Sequence, residues 1–222
     1  MIYKQTIILI FLTTLTRFTW CNKRVNLSCA QIRAFVDGHN FRRWTVAQGV
    51  VLGQPATDDM LYMVWDEELA EKAAQWAENG IFGHNPNRTI GSQRWELVGE
   101  NVYFSKFLGW GTLANVEVVP NIEEALASWY NEYMDYGFFP FCLGTKKAIG
   151  HYTQLVWANT HRVGCGISQK KQTGETFTLF VCNYGPTGNY LGQLPYKPSK
   201  YPGSLHWAQE QNIKPYGIAC SF

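Results

Sequence analysis

The stretch VGCGISQKKQTGETFTLFVCN, residues 163–183, decides the fold because it consists of two apolar segments around a polar turn. The apolar segments cover 163–168 and 176–183, and the turn is centred on Thr173-Gly174. A hairpin that is symmetric about this centre places Cys165 directly opposite Cys182. Directly opposed residues approach within disulfide range, so the spacing alone predicts a Cys165–Cys182 bridge.

The segments before this hairpin have the period of helices rather than of strands. Ser28 forms a capping-box pattern with Gln31, while Asp66 and Asn121 are natural N-caps for a second and a third helix. The third helix is expected to end at Gly137. The faces predicted to be buried comprise Ile32, Phe35, Val36 and His39, then Leu69, Ala73, Trp76 and Ala77, then Ile122, Leu126, Trp129 and Tyr133. Helices followed by strands, without a strand–helix alternation, predict an α+β sandwich.

Residues 1–20 have the layout of a secretory signal peptide, although the cleavage site stays open. An early lysine precedes an apolar run that is too short to span a bilayer, and polar residues follow. The six cysteines of an exported chain favour disulfides, and the sequons at Asn26 and Asn87 predict glycosylation. The sequence therefore predicts a secreted, extracellular glycoprotein without a transmembrane segment.

The charge pattern argues against a nucleic-acid partner. The formal net charge is +2, and the chain contains no basic run of the kind that follows a phosphate backbone. The aromatic content of 15% is interpreted as core rather than as a base-stacking surface.

Four residues are candidates for a metal site: His84, Glu100, Glu132 and His151. The two histidines lie at element boundaries, and the two glutamates lie in apolar surroundings. A buried carboxylate is costly unless it is paired, hydrogen-bonded or bound to a cation. Two histidines and two glutamates would suit a borderline cation such as zinc, but the residues alone leave their convergence open. Three further histidines are interpreted as structural, namely His39, His161 and His206.

Several of these segments together resemble the CAP superfamily, which includes cysteine-rich secretory proteins, antigen 5 allergens and pathogenesis-related class 1 proteins. The antigen 5 and helminth venom allergen-like branch is the most similar. The resemblance covers residues 29–195, which would form the CAP domain, and leaves 196–222 as a C-terminal wrapping segment. The matching motifs are HNFRR (39–43), GQPA (53–56), MVWDEELAEKAAQWA (63–77), GHN (83–85), GEN (99–101), SWYNE (128–132), GHYTQLVW (150–157), VGCGI (163–167) and VCNYGPTGNY (181–190).

The resemblance implies a three-layer α-β-α sandwich with a central, mainly antiparallel sheet. It implies that His84, Glu100, Glu132 and His151 line one cavity that holds zinc or another divalent cation. It also implies that His39 is a packing residue. Gly80 and Ile149 stand where many relatives have cysteines, so one familiar cross-link is missing and the partners of four cysteines stay open: Cys21, Cys29, Cys142 and Cys220.

The resemblance also implies lipid binding, because relatives bind sterols through an aromatic loop after GEN and fatty acids between the first and third long helices. The corresponding aromatic residues are Tyr103, Phe104, Phe107 and Trp110. Alternatively, these side chains belong to a buried strand.

We therefore expect a non-enzymatic extracellular effector or allergen that binds sterols or fatty acids and carries a cation cavity. Two alternatives remain: a metal-dependent hydrolase or protease, and an immunomodulator that acts on host receptors without a lipid. Ser105 and Ser128 have no evident base beside them, and the HExxH pattern of metalloproteases is missing from the sequence.

Overall fold

The computed structural model describes residues 22–109, 117–172 and 174–220. Its helices are α1 (Cys29–Ala47), α2 (Glu67–Glu78), α3 (Ile122–Tyr130) and α4 (Gly150–Leu155), and a 3₁₀ helix (Asn131–Asp135) follows α3. Its strands are β1 (Lys23–Val25), β2 (Val64–Trp65), β3 (Gly99–Leu108), β4 (Arg162–Gln172) and β5 (Glu175–Gly185). None of the described helices has the length and hydrophobicity that crossing a bilayer requires.

The described strands form one sheet in the order β1-β4-β5-β3, so β3 lies at an edge. Antiparallel pairing joins β1 to β4, β4 to β5 and β5 to β3. The short β2 pairs with β4 in parallel and is the exception among these strands. The predicted α+β fold with a mainly antiparallel sheet is confirmed.

The two faces of the sheet are covered by different helices. Ala73 and Ala77 of α2 pack against Val102, Leu179 and Val181 on one face. The larger core on the other face joins α1, α3 and α4 to the opposite residues of the same strands; it includes Phe35, Trp129, Tyr152, Phe180 and Tyr184. These layers account for the sandwich.

Two glycines in β4 allow α2 to approach the sheet closely. A Cβ atom at Gly164 would lie 2.1 Å from the backbone nitrogen of Ala70, and one at Gly166 would lie 2.3 Å from the Cα of Ala74. Real Cβ atoms do not approach backbone atoms this closely, so any side chain at either position would push α2 off the sheet.

The hairpin of β4 and β5 pairs Cys165 with Cys182. Their Cα atoms lie 4.0 Å apart and a disulfide joins them. A second disulfide joins Cys29 to Cys220, across 191 positions of the chain. Among the described residues Cys142 is an exposed free thiol, whereas Cys21 lies outside them.

Each of the first three helices begins at the capping residue that the sequence indicates. Ser28 and Gln31 form the complete capping box of α1, Asp66 accepts from the N3 amide of α2, and Asn121 does the same for α3. The third helix, however, ends at Tyr130 rather than at Gly137 and continues as a 3₁₀ helix. This tighter winding places the carboxylate of Glu132 at the start of α4, where it accepts two backbone hydrogen bonds.

The fully buried Arg43 of α1 fixes the segment that follows α4. Its guanidinium donates to five backbone carbonyls, those of Leu61, Leu155, Trp157, Ala158 and Thr160. Burial lowers the pKa of Arg43 to about 9. The five acceptors offset the cost of burying the charge and lock α4 against α1.

The C-terminal segment lies along the body of the domain. The backbone nitrogen of Tyr62 donates to the carbonyl of His206 at 2.8 Å, and that of Trp65 donates to the carbonyl of Pro215 at 2.8 Å. Together with the Cys29–Cys220 disulfide, these contacts hold the segment against β2 and the start of α1.

Candidate functional site

The carboxylate of Glu100 is buried at the start of β3 and is fully engaged in hydrogen bonds. Its Oε1 accepts from Nδ1 of His84 at 3.0 Å and from the backbone nitrogen of Asn85 at 2.8 Å. Its Oε2 accepts from Nδ2 of Asn183 at 3.2 Å. The side chain of Glu100 is 1% exposed and that of His84 is 60% exposed, so a buried anion anchors an accessible imidazole.

Glu132 holds the second histidine in the same way. Its Oε1 accepts from Nδ1 of His151 at 2.6 Å. Its Oε2 accepts from the backbone nitrogens of His151 at 2.9 Å and Tyr152 at 3.1 Å. The N-cap residue of α4 provides no side-chain hydrogen bond, so the carboxylate of Glu132 satisfies these amides instead. The same carboxylate also orients the imidazole of His151.

The two pairs meet at the free edge of β3. The ring centroids of His84 and His151 lie 6.3 Å apart, and the indole of Trp129 stacks on His151 at 6.4 Å. His84 follows α2 on one side of the sheet, whereas α4 belongs to the core on the other side. The space between the two histidine rings, here called the histidine cavity, therefore lies where the two helical layers come together around an edge strand.

The four residues do not form one ligand cluster. No group of three or more His, Cys, Asp or Glu side chains within the described ranges has the geometry to hold a metal ion. Each carboxylate instead binds the Nδ1 of one histidine, and neither Nε2 atom has a hydrogen-bond partner in the described part of the chain. An imidazole nitrogen is a donor that zinc binds, and the described residues add no third ligand to these two.

The sequence reasoning missed two amides and an indole that support the cavity. Nδ2 of Asn101 donates to the carbonyl of His151 at 3.0 Å, and Nε1 of Trp129 donates to the carbonyl of Val102 at 3.2 Å. Asn183 binds Glu100 from the neighbouring strand. This last contact follows from the pairing of Glu100 with Asn183 between β3 and β5, a register that the sequence does not supply.

The segment 150–157, which contains α4, divides into a site residue and a buried wall. Tyr152, Leu155, Val156 and Trp157 are buried, and only His151 turns to the cavity. The side chain of Gln154 forms no hydrogen bond with His151. Its Oε1 accepts from the backbone nitrogen of Gly188 at 2.9 Å, so it fixes the loop after β5 instead.

The predicted lipid-binding residues lie on opposite faces of β3, because successive side chains of a strand alternate. Tyr103 packs against Phe180 on the face of the larger core, and Phe107 follows on that same face. Phe104 lies on the α2 face, where it contacts Phe82 and Phe177. Phe104 and Phe107 are 40% and 39% exposed. Trp110 lies outside the described residues.

The remaining histidines lie away from the cavity. His39 is fully buried, with Nδ1 2.7 Å from the carbonyl of Phe35 and Nε2 2.9 Å from the hydroxyl of Tyr184. His161 pairs with Glu210, and His206 pairs with Asp58. These contacts are structural.

The two sequon asparagines, Asn26 and Asn87, are both exposed. Asn26 follows β1 directly, and Asn87 lies in the loop between α2 and β3.

Comparison with known proteins agrees with this fold. The family model that matches residues 36–184 is CAP, the cysteine-rich secretory protein family. Venom allergen 5 2 of Polybia paulista is 36% identical over 190 residues, covering 79% of this chain and 85% of the relative. Venom allergen 5 of Polistes fuscatus is 35% identical over 174 residues, covering 74% and 78%.

Two solved structures share the architecture. The crystal structure of NaASP2 with Zn²⁺ has a TM-score of 0.59 and 26% identity, covering 76% of this chain and 85% of that chain. The structure of BmVAL-1 has a TM-score of 0.61 and 27% identity, covering 78% and 85%. The chain belongs to the CAP family of cysteine-rich secretory proteins. Within it, the similarity lies with the antigen 5 and venom allergen-like proteins, as the sequence predicts.

Proposed function

We propose that this protein is a secreted, non-enzymatic CAP-domain protein that binds a divalent cation in its cavity and a small hydrophobic lipid on its surface. The observation that carries the cation site is the pair of imidazoles, each held through Nδ1 by a carboxylate. Such outer partners fix the tautomer of a histidine ligand and leave Nε2 to the metal. Two disulfides within the described chain support folding in an oxidising, secretory compartment.

In this proposal His84 and His151 hold the cation, and Glu100 and Glu132 orient them. A bound cation would supply positive charge and open ligand positions at the edge of β3. Zinc suits imidazole nitrogen, and NaASP2, which shares the fold, was solved with Zn²⁺.

The cation site predicts a loss of zinc binding when either imidazole is removed. Calorimetric titration of metal-free protein with zinc should show one site per chain, and His84→Ala or His151→Ala should abolish it. Glu132→Gln should weaken binding by about 10–100-fold, because the imidazole of His151 loses its orienting partner. His161→Ala is the matched control, since this histidine pairs with Glu210 outside the cavity. Equal binding by wild type and the His84→Ala/His151→Ala double variant would refute the site.

The lipid function is supported by the exposed aromatic side chains near the end of β3. Phe104, 40% exposed, lies between Phe82 and Phe177, with ring centroids 5.8 and 6.0 Å away. Phe107 adds a second exposed aromatic ring on the opposite face of β3. Burying roughly 300 Å² of a sterol or fatty acid at ~25 cal/mol/Å² yields about 7 kcal/mol before the cost of association. Even before that cost is subtracted, about 7 kcal/mol corresponds to a dissociation constant of about 10 μM, so burial of this area alone supports weak binding.

The alternation of β3 makes the lipid surface testable one face at a time. We expect Phe104→Ala to weaken binding of a fluorescent sterol or fatty acid if the ligand lies on the α2 face, and Phe107→Ala to do so if it lies opposite. Leu143→Ala removes an exposed apolar side chain from the segment before α4 and serves as control. Full binding by a folded Phe104→Ala/Phe107→Ala variant would place the lipid elsewhere.

A binding role is preferred to hydrolysis because of what the histidines contact. Their Nδ1 atoms bind carboxylates, and in the described ranges no serine, threonine or cysteine side chain hydrogen-bonds to either ring. A nucleophile activated by His84 or His151 would need that contact. Turnover of a peptide or ester by zinc-loaded protein, lost in His151→Ala, would favour the hydrolase over this proposal.

A further inference from the structure

A second cavity, of about 820 Å³, lies between β1, the end of β4 and the segment that precedes α3. None of the four residues of the histidine cavity lines it. Its walls combine polar and apolar side chains, which are Lys23, Arg24, Val25, Asn26, Gln31, Glu117, Val118, Val119, Pro120, Gln169, Lys170 and Lys171. Its volume is within the range that holds a small organic ligand.

One of the lining residues is itself an attachment point. Asn26 opens the sequon Asn26-Leu27-Ser28, and its side chain is exposed at the cavity wall. The fold fixes its position, because β1 pairs with β4 immediately before it and Ser28 caps α1 immediately after it. A sugar joined to Asn26 therefore begins at the cavity and needs no linker to enter it.

The chemistry of the wall suits a sugar. The N-acetylhexosamine rings that begin an N-linked glycan present hydroxyl and acetamido groups at their rims and apolar C–H groups on their faces. Lys23 and Gln31 supply polar groups, while Val118, Val119 and Pro120 form an apolar wall opposite. Val119 is 76% exposed, which leaves an apolar surface open beside the attachment point.

The second sequon has different surroundings. Asn87 lies in an exposed loop, where its Oδ1 accepts from the backbone nitrogen and the hydroxyl of Thr89 at 3.0 and 2.9 Å. It does not line the cavity beside β1. A glycan on Asn87 would extend into solvent, so Asn87 is an internal control for Asn26.

We propose that the cavity binds the glycan carried by Asn26. The first sugars of this glycan pack against the wall formed by residues 117–120. This inference rests on the export that the proposed function includes, because N-glycosylation at a sequon takes place on exported chains. Residues 117–120 lead directly into α3, so the seated sugars would tie β1 to the start of that helix.

The test is native deglycosylation of protein secreted from eukaryotic cells. Peptide mapping would first report occupancy at Asn26 and Asn87, and an amidase that cleaves at the first sugar would then be applied to folded and to denatured protein. We expect both glycans to be released equally from denatured protein. In the folded protein release at Asn26 should be about tenfold slower than at Asn87, because cleavage requires the sugars to leave the cavity.

Two kinds of variant distinguish binding of the glycan in the cavity from general steric hindrance of the amidase. Val119→Ser removes part of the apolar wall and should speed native release at Asn26 without changing release at Asn87. Asn26→Gln should lower the midpoint of thermal unfolding of the glycosylated protein, whereas Asn87→Gln should not.

Equal native release at the two sites, or an unoccupied Asn26 in secreted protein, would overturn the proposal. A small anionic amphiphile in the cavity would also overturn it. Native mass spectrometry would then find the amphiphile bound to the glycosylated protein and lost in Lys23→Ala/Lys171→Ala. A chain that is not exported would instead refute the proposed function.

Discussion

His39 and His151 show how one residue type acquires different roles from its surroundings. Both ring nitrogens of His39 lie within hydrogen-bond distance of core partners, and the ring is fully buried. His151 has only Nδ1 engaged and lies against an accessible cavity. At the residue scale, therefore, the number of satisfied ring nitrogens distinguishes the packing histidine from the candidate ligand.

His39 gives the protein a calculable sensitivity to acid. Burial lowers the pKa of His39 from 6.5 to about 3, so between these values the unfolded chain binds a proton that the folded chain does not. The free energy of unfolding should fall with decreasing pH across this window, by at most about 1.4 kcal/mol per pH unit from this group. Urea unfolding between pH 7 and 4 should show a shallower dependence in His39→Gln. Identical slopes would contradict the assigned burial effect.

The sequence indicated the polar residues of the cavity but not their bonding. Glu100 and Glu132 stand out because carboxylates among apolar neighbours need partners. Which atom binds which depends on the 3₁₀ winding after α3 and on the approach of α4, and both are set by tertiary packing. The role of Asn183 in particular follows from strand register rather than from its neighbours in sequence.

At the scale of elements, the packing of α2 on the hairpin depends on two positions of β4 that have no side chain. Gly164 and Gly166 leave room for the backbone of α2 on that face. The sequence predicted the long elements because capping residues and apolar periodicity are local signals. It did not predict β2 or α4, which are short and depend on pairing with β4 and on Glu132.

Gly166→Ala should therefore destabilise the domain far more than an ordinary glycine substitution. The new methyl group would lie 2.3 Å from the Cα of Ala74, so strand and helix must separate, at a cost of about 3 kcal/mol. Gly137→Ala is the matched control, because its Cβ would meet Phe139 at an ordinary 3.7 Å. Chemical denaturation measures both, and a similar small effect for the two variants would refute the close-packing argument.

At the scale of the whole molecule, two disulfides restrict the unfolded chain to different extents. The Cys165–Cys182 bridge spans 17 positions and the Cys29–Cys220 bridge spans 191. The first follows from the hairpin alone, whereas the second could not be assigned from the sequence. Its cysteines come together only once the C-terminal segment has passed β2 and reached α1.

The longer bridge should contribute more stability. The loop-closure relation gives about 5 kcal/mol for Cys29–Cys220 and about 3 kcal/mol for Cys165–Cys182. Equilibrium unfolding of the double variants Cys29→Ala/Cys220→Ala and Cys165→Ala/Cys182→Ala would measure the difference. A smaller loss for the Cys29/Cys220 variant would show that the C-terminal segment is held mainly by its hydrogen bonds and packing.

The Cys29–Cys220 bridge also makes nearly the whole domain a covalent ring. A protease that cuts once in an exposed loop, such as the one around Leu143, opens the ring without releasing a fragment. The nicked molecule gains the mass of one water and separates into two pieces only after reduction. In the extracellular setting proposed for this protein, a first cut therefore leaves every residue of both cavities attached.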